Sequence, residues 1–131
     1  MSSTPLTQAQ ILVIKAAEDE KALEAAENSD AILGFHAQQA VEKLMKALLS
    51  QKAVEFELTH NLERLERLLR VNQETLPATP IALLDLTDFA VVYRYDLMFQ
   101  VRPPSRAELI ETVRLIREHV VARIAALSTE P

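Results

Sequence analysis

The sequence predicts an all-α fold: one domain over residues 1–131, an up-and-down bundle of four to five antiparallel helices with its core at about 5–127. Three observations predict it. The chain has one glycine, Gly34, whereas sheets need turns with positive φ that Gly or Asn-Gly usually supplies. Its abundant residues are good helix formers (Ala, Leu, Glu, Lys, Arg, Gln). Its apolar residues recur at helical spacing between clear start and stop signals.

The elements follow in order. Thr4-Pro5 opens the first helix, with Thr4 as N-cap and Pro5 at the first helical position, and the helix runs to about Glu27. Asn28, Ser29 and Asp30 interrupt the chain, and a second helix covers about Asp30 to Lys52. Thr59 caps a third, marked by Leu62, Leu65, Leu68 and Leu69. Thr79-Pro80 repeats the first start signal and opens a fourth, through Leu83, Leu84, Phe89 and Val92. That helix is apolar almost all round between Ile81 and Val92, which predicts a central position or a subunit interface. Pro103-Pro104 stops the chain, and Ser105 with Glu108 forms a capping box at the head of a fifth helix that ends near Leu127. Leu109, Val113, Ile116, Val120, Ile124 and Leu127 form its apolar stripe.

Composition excludes several functions. With no cysteine there is no disulfide framework, thiolate metal site or Cys nucleophile. No triad signature or Gly-rich phosphate loop is present, so no cofactor is expected, and His36 and His60 are too few for a zinc site. A net charge of −5 argues against general polyanion binding without excluding a local basic stripe. The opening MSSTPLTQAQ lacks the regions of a signal peptide, and no apolar run approaches the roughly 20 residues of a membrane span. The expected location is cytoplasmic.

The second helix carries the most informative chemistry. On a helical wheel Leu33, Ala37, Ala40, Val41, Leu44 and Leu48 gather on a core face. Opposite them lie Phe35, His36, Gln39, Lys43 and Lys46, with Glu42 at the edge. An aromatic ring, an imidazole, an amide and two ammonium groups on one face suit an anionic ligand, a stacked base or a polar subunit contact. The plain alternative is a solvated face with one exposed Phe.

The string FHAQQAVEKLMKALL, Phe35 to Leu49, resembles the signature helix of HEPN domains. Thr59, His60, Asn61 and Leu62 are similar to that family's second His motif, and Phe89 to Asp96, with its Arg94-Tyr95 pair, resembles its fourth-helix ending. The long last helix also matches, so the resemblance covers about Ala9 to Leu127. It implies a homodimer of four- or five-helix bundles. It further implies a partnership with a minimal nucleotidyltransferase, often as a toxin–antitoxin module, and nucleotide binding in other members.

Ribonuclease members carry an Arg followed, after four to six residues, by a His, paired across the dimer into a metal-free RNA-cleaving site. Here the Arg is Arg94, and Phe99, Gln100 and Val101 stand where the His belongs. Arg114 and His119 match the spacing formally, but inside one helix five residues turn through about 500°, placing the side chains about 140° apart. Arg94 reads either as a structural ion pair with Asp88 or Asp96 or as a phosphate-binding fork, with Arg102 and Arg106 adding charge beside the Pro corner. His60, next to a helix start, bonds either backbone or a carboxylate, or works beside His36. Related toxins are modified on a Tyr, which by resemblance makes Tyr95 a candidate acceptor.

The expectation is therefore an accessory, nucleotide- or substrate-binding protein with Phe35, His36, Gln39, Lys43, Lys46, His60, Arg94 and Tyr95 at its site. The alternatives are a metal-free ribonuclease using Arg94 and a purely structural dimerisation module.

Overall fold

The structure is a computed structural model that describes residues 5–25, 29–87 and 104–129. These residues form an all-α bundle without strands: α1 Gln8–Ala22, α2 Asp30–Gln51, α3 Leu62–Val71, the short α4 Leu83–Thr87 and α5 Arg106–Ser128. None of these helices is long and apolar enough to cross a membrane.

Local chemistry explains each start. Thr7, not Thr4, caps α1: its hydroxyl accepts from the Gln10 N–H at 3.1 Å while the Gln10 side chain accepts from the Thr7 N–H at 2.9 Å. Two satisfied donors outweigh the preset φ of Pro5, so the helix begins three residues later than expected. Ser29 caps α2 by accepting from Ile32, close to the expected boundary. Asn61, rather than Thr59, caps α3, accepting from both Glu63 and Arg64. Thr59 instead takes the Asn61 N–H and shapes the turn before it.

The fourth helix begins at Leu83, past the expected Thr79-Pro80 start, because neighbouring groups are engaged elsewhere. Thr79 donates to the Ile81 carbonyl, and the Ile81 N–H donates to the buried Thr112 hydroxyl on α5. Its predicted continuation through Phe89 and Val92 lies outside the described residues. At α5 the Ser105–Glu108 capping box is present as read.

Two helices end without glycine. After α2, Ala53 takes φ 58°, its N–H reaches Ser50, and the Val54 N–H reaches Leu49. After α3, Gln73 takes φ 65°, its N–H reaches Arg70, and the Glu74 N–H reaches Leu69. Both are Schellman closures in which a residue with a Cβ holds the left-handed position.

The core centres on α2. Leu33, Ala37, Ala40, Val41, Leu44 and Leu48 are buried as the wheel predicts, but Met45, Ala47 and Leu49 are buried too. This helix packs against α1, α3, α4 and α5, so it is buried on more than one side. Centrality among the described residues thus belongs to α2; of α4, Leu86 is buried while Leu84 is exposed. The α5 stripe enters the core through Leu109, Val113, Ile116 and Val120, with Ile124 and Leu127 packed partly buried against it.

Candidate functional site around the polar face of the second helix

Burying α2 on several sides forces its polar residues to find partners, because an unpaired buried charge costs several kcal/mol. The expected polar face is accordingly resolved into two networks. In the first, Asp19 of α1 is buried against α2 and bridges two of its residues. Oδ1 lies 2.9 Å from His36 Nδ1, and Oδ2 accepts from Lys43 Nζ at 2.5 Å. Phe35 packs edge-on to the His36 ring, with centroids 5.5 Å apart.

The second network centres on Glu42, whose side chain is only 5% exposed. It accepts from Gln38 at 2.9 Å, from Lys46 at 2.9 Å, and faces His60 Nδ1 at 2.8 Å. Burial alone would raise the Glu42 carboxyl, but hydrogen bonds from Lys46, Gln38 and His60 outweigh it and hold the group below the usual carboxylate range. Gln38 also donates to the His60 carbonyl, and Gln39 donates to Gln38. Lys46 in addition sits 5.8 Å over the Phe56 ring, within cation–π reach.

Six of the expected site residues are therefore placed along α2 and at the approach to α3: Phe35, His36, Gln39, Lys43, Lys46 and His60. Arg94 and Tyr95, with Asp88, Asp96 and Arg102, lie outside the described residues. The lysines, however, face carboxylates of their own chain. Two lysines against Asp19 and Glu42 leave the cluster formally neutral when both imidazoles are neutral. An anion would be met by exchange of partners and by hydrogen bonding rather than by excess charge.

His60 differs from the rest. Its side chain is 69% exposed, while its Nδ1 and its carbonyl are both held by α2. With the ionised Glu42 facing Nδ1, that nitrogen carries the proton and the Nε2 lone pair faces outward.

Two members of the site, Asp19 and Gln38, were missed from the sequence, and a third, Glu42, was placed at an edge. Asp19 shares a face with Ala9, Ala16 and Leu23, a 7-3-4 spacing that was available to be read. Gln38 is fully buried, and Glu42 sits inside rather than at an edge; only the number of neighbours around α2 explains either.

The formal Arg114–His119 pair is divided as the helical angle predicts. Arg114 is bound to Glu111 at 2.7 Å and Glu118 at 2.8 Å on the surface. The His119 Nε2 is buried with no hydrogen-bond partner among the described residues, and burial keeps this imidazole below its usual pKa. No group of three or more potential metal ligands occurs among the described residues.

No curated protein and no solved structure matches this chain. A family model does: the HEPN domain matches residues 9–124, a span that holds both polar networks. With that much of its length matched, the chain belongs to the HEPN domain family.

Proposed function

We propose that this chain is a HEPN binding and accessory module, a homodimer that partners a minimal nucleotidyltransferase in a toxin–antitoxin-type pair and holds nucleotide or substrate on the α2–His60 face. The observation that carries the reading is His60, an outward imidazole fixed on its inner side by buried Glu42 and Gln38. A fixed imidazole with a free edge can accept a hydrogen bond from a base or sugar, or donate to phosphate when protonated. Lys43 and Lys46 supply ammonium donors about two turns along the same helix from His36 and Gln39 respectively. Support for association comes from an apolar groove of about 340 Å³ between α1 and α5, lined by Leu6, Val13, Ile14, Val121 and Ile124. The expected location remains the cytoplasm.

Ribonuclease activity is the less favoured reading. Arg114 is occupied by two glutamates and His119 is turned inward, so the one formal Arg–His pair among the described residues does not converge on a phosphodiester. Calorimetric titration with ATP and other ribonucleotides tests the proposal. Binding weakened by both His60→Ala and Lys43→Ala is the expected result; no binding, or binding indifferent to both substitutions, refutes the ligand role.

A further inference from the structure

The His60 dyad has an orienter and a reactive nitrogen but no chamber. An imidazole exposed over 69% of its side chain has no walls to exclude water, which a general acid–base centre in a substrate pocket would need. The neighbouring hollows are built from other residues: one of about 500 Å³ from Ser50, Val54, Glu55 and Phe56, another from Glu57, Arg64 and Arg67. An oriented nucleophile standing clear of the surface is suited instead to enter the active site of another protein. Nothing described blocks its Nε2, and the residue is anchored at two points: the ring through Nδ1 to Glu42 and the backbone through its carbonyl to Gln38.

We propose that His60 is an acceptor site for a phosphorus-centred group, phosphoryl or nucleotidyl, delivered from a phosphoanhydride donor such as a nucleoside triphosphate. In its choice of a transferase as the delivering partner, this rests on the reading above. The Nε2 lone pair attacks phosphorus, an N–P bond forms, and the P–O bond to the leaving phosphate or pyrophosphate breaks. The positive charge that develops on the ring faces the Glu42 carboxylate 2.8 Å from Nδ1, and the Nδ1 proton stays in that hydrogen bond or leaves through it to solvent. Gln38 and Lys46 hold Glu42 in place, so the stabilising charge is present before reaction rather than recruited during it. His36 is the internal contrast. Its Nδ1 also faces a carboxylate, but its side chain is 30% exposed and sits in the groove between α1 and α2 beside Lys43.

The test needs no transferase, which separates its failure from failure of the partner reading. The folded chain is incubated at neutral pH with phosphoramidate, a phosphoryl donor, and separately with adenosine 5′-phosphorimidazolide, a nucleotidyl donor. Adducts are followed by intact mass and located by fragmentation. The expected result is labelling of His60 by at least one donor, several-fold faster than the same histidine in the urea-unfolded chain and faster than His36. Which donor reacts distinguishes a phosphoryl from a nucleotidyl acceptor. Glu42→Gln, which keeps the size but replaces the carboxylate with a neutral amide that has a single accepting oxygen, should return the rate to the unfolded value. His60 labelled no faster folded than unfolded by either donor, or a rate unchanged in Glu42→Gln, overturns the proposal. Circular dichroism of each variant establishes that the compared chains are folded.

Discussion

Glu74 is the residue on which acid should act most visibly. It follows the α3 Schellman turn and is 2% exposed, yet it carries a charge. Arg123 of α5 donates to it through Nε and Nη2, each at 2.9 Å, and Lys52, the cap of α2, reaches it at 3.0 Å. Lys52 also donates to the Asn72 carbonyl. One carboxylate thus ties three helices. The Arg123 hydrogen bonds, joined by Lys52 and opposed by burial, hold its carboxyl at about 2, against an ordinary 4.5.

At about 1.4 kcal/mol per pH unit this displacement corresponds to roughly 3 kcal/mol of folding free energy, an upper bound because Arg123 remains 35% exposed and screened by water. The sign follows from the lowered folded value: the contribution is complete above the unfolded pKa and is lost as pH falls from about 5 toward 2. The assay is urea unfolding of wild type and Glu74→Gln, followed by circular dichroism at several pH values across that window. Glu74→Gln should cost about 2–3 kcal/mol at neutral pH, and the gap should close toward pH 2 as the wild-type carboxyl protonates. Titrating groups not coupled to Glu74 cancel in the difference; His119, whose imidazole the Glu74 charge raises, does not. A gap that stays constant across the window would refute the reasoning.

Further outcomes follow from the same contacts. Ala53→Gly and Gln73→Gly should each stabilise the chain by up to about 1 kcal/mol in thermal or urea unfolding, since glycine occupies positive φ without a Cβ clash. His119→Leu should be neutral or stabilising at pH 7, because the buried Nε2 has no described partner. Since burial lowers the His119 pKa, wild type should lose stability relative to that variant as pH falls below about 6.5, which melts at pH 7 and 5 would measure. Asp19→Asn should act in opposite directions on two readouts. It should cost about 1–3 kcal/mol of stability by unpairing Lys43 and His36, and it should strengthen nucleotide binding by releasing the Lys43 ammonium.

The legible parts of the fold were the local ones. The Ser105–Glu108 box, the Ser29–Asp30 break and the α5 stripe depend on residues within a turn of each other, and the structure places them as read. Errors arose where two local signals competed. Thr4 and Thr7 are equally good caps by type and the Gln10 hydrogen bonds decide between them, whereas Asn61 is a better cap than Thr59 by type and takes the Glu63 and Arg64 N–H groups.

The candidate site was half legible. Periodicity put Phe35, His36, Gln39, Lys43 and Lys46 on one face, and the THNL segment singled out His60. Lys46 and Glu42 form an i,i+4 pair within the helical period, but the contacts of Asp19 with His36 and Lys43 and of Glu42 with His60 join residues 17, 24 and 18 apart, beyond any helical period. Glu74 left no trace for the same reason: its partners are 22 and 49 residues away.

The central claim, a ligand-holding HEPN face rather than a nuclease, meets its most direct test in one paired experiment. ATP is titrated calorimetrically into wild type and His60→Ala, while the same wild-type preparation is incubated with RNA in chelator. Saturable heat in wild type, reduced in His60→Ala, with the RNA intact, is the predicted result. Cleaved RNA without a binding heat would contradict the account.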